Sequence, residues 1–166
     1  MSANESDRLP AGIRNTKSDT SSRRREASHI FSVQGHVDEV FHLFDPVSER
    51  DWVDDWDPQP VFPEELSRSA GTVFTLARDG HTAVWTVLRH EPTQHLAEYL
   101  VADPGYLHRW IYVSCSAASE GTTKVSVRYV TTALGPAGQK DIERYGEEFL
   151  KAWEGPVQAA IDKMAA

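Results

Sequence analysis

The chain has one cysteine, Cys115, so no internal disulfide can form and packing alone must hold the fold. No apolar run approaches the roughly 20 residues of a membrane span. The N-terminus lacks the apolar core of a signal peptide. Arg23-Arg24-Arg25 has the form of a twin-arginine signal, yet no apolar stretch follows it. The expectation is a cytoplasmic protein. Also missing are a phosphate-binding glycine loop, a dinucleotide fingerprint and a serine nucleophile elbow. Seven histidines are present, but His36 and His42 fall on different faces of their helix. His81, His90, His95 and His108 sit near strand ends, and no His-Glu-x-x-His or Cys-x-x-Cys occurs. Neither a metal nor a cofactor is expected.

Basic residues are in deficit. The 166-residue chain has 17 Lys and Arg against 25 Asp and Glu, a net charge of -8. Six of the basic and four of the acidic residues lie in the first 26, so the remainder is more acidic than the whole. Such a surface repels nucleic acid and anionic membrane. Residues 1–26 are rich in Ser, Asn, Asp and Arg and nearly free of apolar side chains, which predicts a disordered tail. Residues 27–166 form one domain, as a monomer or homodimer.

Within that domain, Ala27 to Gln34 alternates and predicts a strand, and Val37 to Phe44 switches to helical spacing. Pro46 opens a second short helix, because a first-turn proline loses no helical bond. Trp52 to Pro63 reads as an irregular, packed loop. Six strands follow at Val61–Ser67, Thr72–Arg78, Thr82–His90, His95–Ala102, Arg109–Ala118 and Lys124–Ala133. Asp79-Gly80 is a two-residue hairpin signal, and the other connectors are equally short, so neighbouring strands run antiparallel. Pro136 to Met164 then carries Ile142, Tyr145, Phe149, Ala152/Trp153, Val157, Ile161 and Met164 at steps of three and four. That stripe predicts one long amphipathic helix, with Gly155-Pro156 kinking it. The fold class is α+β: a curved antiparallel sheet of about seven strands around a long C-terminal helix, with two short helices after the first strand.

This order resembles the START-like or SRPBCC superfamily, the helix-grip fold of polyketide cyclases, lipid-transfer domains and the birch-pollen allergen type. The resemblance is carried by Ile30-x-x-Val33, by Val37-x-x-Val40-Phe41-x-x-Phe44-Asp45-Pro46 and by Trp52-x-x-x-Trp56-x-Pro58. It continues through Gly71-x-x-Phe74, Val84-Trp85-x-Val87, Val125-x-Val127-x-Tyr129 and Thr132-Ala133-Leu134-x-x-x-Gly138, covering roughly residues 28–164. It implies a cavity between sheet and long helix that holds a hydrophobic or aromatic small molecule, such as a polyketide, lipid or related metabolite. It does not imply a reaction, because carriers, enzymes and chaperone activators share the fold.

The ligand-binding expectation falls on Trp52, Trp56, Trp85, Trp110, Tyr112, Tyr129, Tyr145 and Phe149, aromatics able to combine apolar contact with a few hydrogen bonds. The alternative is that these side chains fill a solid core with no room left. Alternation sets Trp110, Tyr112, Ser114 and Ser116 against Ile111, Val113 and Cys115, without saying which face turns inward. Were a cyclase or dehydratase housed here, the weak proton-transfer candidates are Glu98, Tyr112 and Tyr129. Glu98 reads more readily as a solvent-face residue opposite Ala97, Tyr99 and Val101. Asp51, Asp54, Asp55 and Asp57 read as a solvated acidic loop, and Cys115 as an inert core thiol. A third role, protein interaction through the acidic face, stays open.

Overall fold

The computed structural model describes residues 23–166. Most of the expected tail, residues 1–22, lies outside the described residues. Seven strands form one sheet: β1 (Arg24–Gln34), β2 (Gln59–Phe62), β3 (Val73–Arg78), β4 (His81–Glu91), β5 (Leu96–Asp103), β6 (Leu107–Ser119) and β7 (Thr122–Ala133). Their order is β1-β7-β6-β5-β4-β3-β2, and every pairing is antiparallel. Between β2 and β7 each strand pairs with its chain neighbour, as the tight turns require. At the β3–β4 turn both Asp79 (φ 51°) and Gly80 (φ 79°) take the left-handed backbone that the sequence signal demands.

β1 starts at Arg24, earlier than its apolar pattern shows, because Arg24, Arg25 and Glu26 pair with Thr132, Thr131 and Val130 of β7. Those three residues therefore belong to the sheet and not to a tail. Arg25 also reaches Glu143 at 2.7 Å. The helix after β1, α1 (Val37–His42), is capped by the His36 side chain and buries Val40 and Phe41. The second expected helix is only a 3-10 turn at Glu49–Asp51. Asp45 caps the turn: its Oδ1 accepts the backbone N–H of Val47 and Ser48, and its carbonyl accepts that of Glu49. The strand expected at Val61–Ser67 lies at Gln59–Phe62, on the outer edge of the sheet.

The C-terminal arm follows the sheet, but not as one continuous helix. It consists of α2 (Pro136–Asp141), a 3-10 turn at Ile142–Tyr145, α3 (Glu147–Lys151) and α4 (Glu154–Ala165). The break falls at Gly146, whose backbone is extended. A Cβ there would come within 2.5 Å of the Arg25 guanidinium. Pro156 does not kink a helix interior; it lies in the first turn of α4, where its missing N–H has no intrahelical partner to lose. Near the start of the arm, Gly138 passes so close to β6 that a Cβ would sit 1.8 Å from the Tyr106 carbonyl oxygen.

The arm and α1 cover one face of the sheet, and the main core lies between them: Phe31, Val33, Phe44, Phe74, Val87, Val101, Ile111, Val125, Val127, Leu150, Val157 and Ile161 are all buried. In β6 the buried set is Leu107, Ile111, Val113 and Cys115, so this face turns inward. Trp110, in the opposite phase, is 39% exposed.

Candidate functional site

The core is not solid. A pocket of about 310 Å³ remains between the sheet, the arm and the loop after α1. β4, β5 and β7 contribute Trp85, Tyr99 and Tyr129; β6 contributes Arg109, Ile111 and Val113. Phe149 and Trp153 come from the arm, and Glu49, Trp52 and Trp56 from the loop. The walls brace one another through ring contacts. Trp153 lies 5.1 Å from Trp52 and 5.9 Å from Tyr129, and Trp56 meets Trp85 edge-on at 5.5 Å. The two loop indoles are also pinned from behind. Trp52 Nε1 donates to the Leu43 carbonyl and Trp56 Nε1 to the Pro46 carbonyl, both at 2.8 Å.

Glu49, Asp54, Arg78, Tyr99, Arg109 and Tyr129 interrupt this apolar lining. Glu49 is buried, and desolvation holds its carboxyl well above the usual range near 4.5. The negative charge of Asp45 adds to that shift, and Arg78 partly opposes it. Asp45 itself is fully buried and held by the Ser48 hydroxyl and by Arg68 Nε at 2.8 Å. The loop carrying Glu49 is thereby fastened at its base. Tyr129 is buried in the pocket wall, and desolvation pushes its phenol up, against the pull of the Arg109 charge. Arg109 lies 5.8 Å from the Trp85 ring and 4.9 Å from the Tyr145 ring. Behind these, Tyr99 donates its hydroxyl to the Phe44 carbonyl and is also pushed well up by burial.

Of the expected ligand contacts, the structure brings Trp52, Trp56, Trp85, Tyr129 and Phe149 to this pocket. Tyr145 lines a smaller adjoining hollow of about 100 Å³ that shares Trp85, Arg109 and Phe149. Trp110 and Tyr112 are corrected: they stack on each other at 5.1 Å on the outer face, where Arg128 covers Tyr112. Glu98 shares that face, in a groove with Arg89, Tyr112 and Arg128. Its nearest cation is Arg89, at 3.7 Å. Among the three proton-transfer candidates, only Tyr129 reaches the pocket. The outer groove is larger, about 350 Å³, but charged side chains line much of it and no aromatic wall closes over it. Cys115 is buried and its thiol is pushed up to about 12, the environment of an inert thiol. Among the described residues no group of three or more His, Cys, Asp or Glu side chains is placed to hold a metal ion.

Sequence reasoning missed Glu49 and Arg109. For Arg109 a signal exists, because it is in phase with Ile111, Val113 and Cys115, the face that turned inward. For Glu49 there is none, since its burial is created by the fold of the loop around it.

No family model matches the chain, and no curated protein matches it in sequence. Solved structures do match in shape. Norcoclaurine synthase from Thalictrum flavum, in complex with dopamine and hydroxybenzaldehyde, is similar at a TM-score of 0.61 and 11% identity, over 96% of each chain. Ara h 8.0201 is similar at 0.60 and 14%, over 84% of this chain and 99% of its own. A hypothetical protein, jhp0584, from Helicobacter pylori is similar at 0.64 and 14%, over 97% of this chain and 99% of its own. At such identities the likeness is one of fold. With its seven-stranded antiparallel sheet closed by a C-terminal helical arm, the chain has the helix-grip fold of the START-like, or SRPBCC, superfamily.

Proposed function

We propose that the chain encloses a compact hydrophobic molecule with an aromatic or otherwise planar body in the pocket between sheet and arm. One observation carries this reading: an open volume of about 310 Å³ persists inside a wall of Trp52, Trp56, Trp85, Tyr129, Phe149 and Trp153. A core selected for stability alone closes such space, since voids forfeit packing contacts. The volume stands at the lower end of small-molecule sites. An occupant burying about 150–250 Å² of apolar surface, the range of an aromatic side chain, gains roughly 4–6 kcal/mol at 25 cal/mol per Å². That gain precedes the cost of association. Two of the similar structures, norcoclaurine synthase with its aromatic ligands and Ara h 8.0201, fit this reading in kind. Native mass spectrometry of the purified chain tests it: a co-purifying small molecule, displaced by added bicyclic aromatics with a change in tryptophan fluorescence, is expected. A pocket that takes up no apolar aromatic at millimolar concentration refutes it.

A second reading, a cyclase or dehydratase acting on a polyketide-like substrate, is favoured by Glu49. A buried carboxyl kept protonated beside an apolar pocket is the form a general acid takes. On this reading Glu49→Gln abolishes turnover while leaving binding intact. The protein-interaction alternative rests on a filled core, and this core holds a pocket.

A further inference from the structure

Two N–H donors at the pocket wall find no acceptor among the described residues. They are Arg109 Nε and Trp85 Nε1, both buried. Two other wall indoles, Trp52 and Trp56, each donate to a backbone carbonyl. Arg109 forms no ion pair among the described residues, although Arg25, Arg68, Arg89, Arg128 and Arg144 each face a carboxylate. Its neighbours are the rings of Trp85 and Tyr145 and the phenol of Tyr129. Rings stabilise a guanidinium through their faces but accept none of its in-plane hydrogen bonds. A cation on the inner face of a strand, left without an acceptor, is costly in a finished core. It is in place for an oxygen that arrives with the ligand.

Building on the reading of the pocket as a binding site, we propose that its occupant is a planar aromatic carboxylate, with the carboxylate seated on Arg109 and the ring system among the tryptophans. The planar guanidinium matches a carboxylate in two parallel hydrogen bonds, a geometry that a neutral carbonyl cannot duplicate. Glu49, whose carboxyl is shifted by burial toward its neutral form, lines the same pocket, together with Arg78 and Asp54. The acidic balance of the whole chain would repel one in general, so the local cation has to provide the selectivity.

The test compares 2-naphthoate with its uncharged isostere 2-naphthamide by titration calorimetry, on the wild-type chain and on Arg109→Met. Methionine keeps an unbranched side chain between the two rings and removes the charge and the fork. Wild-type protein is expected to bind the acid about tenfold or more tighter than the amide, and Arg109→Met to lose that preference while holding the amide unchanged. Equal affinity for the two ligands in the wild-type chain overturns the anion proposal and leaves the pocket reading standing. So does a preference for the acid that survives Arg109→Met. Failure of the wild-type chain to bind either ligand overturns both. Should Arg109→Met not fold, Arg109→Gln takes its place: loss of the acid preference is expected, and a preference that persists overturns the proposal.

Discussion

The buried carboxyl of Glu49 makes a prediction that needs no ligand. Burial and the nearby Asp45 charge raise its folded-state pKa above the ordinary value near 4.5. Below pH 4.5 the group is protonated in both folded and unfolded chains and contributes nothing to the pH dependence. Above it the unfolded chain gives up its proton first, so the folded state binds more protons and stability falls as pH rises. One proton gives a limiting slope of about 1.4 kcal/mol per pH unit. The slope ends where pH passes the folded-state pKa. Glu49→Gln keeps the shape and removes the titration. Unfolding in urea, followed by tryptophan fluorescence from pH 4 to 9, should give two curves that differ by a constant at low pH. They should then diverge in favour of Glu49→Gln, by at most about 1.4 kcal/mol per pH unit, or about 3–6 °C in Tm for a chain of this size. Titrating groups that do not interact with Glu49 cancel in the difference. The height of the plateau, divided by 1.36, gives the pKa shift directly. Curves that stay parallel across the range refute the claim that Glu49 is held neutral.

Three further outcomes are expected. Tyr99→Phe removes the hydroxyl that the buried Phe44 carbonyl accepts, at about 1–3 kcal/mol in urea unfolding with no change in fold. Gly138→Ala drives a methyl into the Tyr106 carbonyl and forces α2 off the sheet; a loss of about 3 kcal/mol or more is expected, and a Tm within about 2 °C of wild type counts against the close approach. Glu98→Gln and Trp110→Ala, on the outer face, should leave aromatic binding measured by fluorescence within about twofold of wild type, whereas Trp153→Ala should weaken it by about tenfold or more.

The sheet was legible because its signals are local. Asp79-Gly80 fixes a hairpin by backbone sterics alone, and the alternation of Val125, Val127 and Tyr129 with Lys124, Ser126 and Arg128 separates a buried face from a wet one. β6 was illegible for the opposite reason: both its faces carry large apolar side chains, so alternation could sort them but not orient them. The fold turns Ile111 and Val113 in toward the pocket and leaves Trp110 and Tyr112 to stack outside. The arm misled for a third reason. Its apolar stripe crosses Gly146 without a change of period, and the interruption there depends on Arg25, more than a hundred residues away in the chain. Tyr145 and Phe149 both meet Tyr129, at 6.4 and 5.6 Å.

Glu49 and Arg109 differ from the rest of the pocket in what their burial does to stability. Trp56, Phe149 and Trp153 are what apolar patterning puts inside, and each is favourable to bury whether or not a ligand ever arrives. A protonated carboxyl and an unpaired guanidinium are not, and replacing either with a hydrocarbon of similar volume is the change that stability alone favours. They do not pair with each other among the described residues, so mutual neutralisation does not account for them. They share instead one pocket wall, one neutral and one cationic, with Trp85 and Tyr129 around them. Polar groups that disagree with the local rule for a core, and converge on its one aromatic hollow, belong to what the hollow is for.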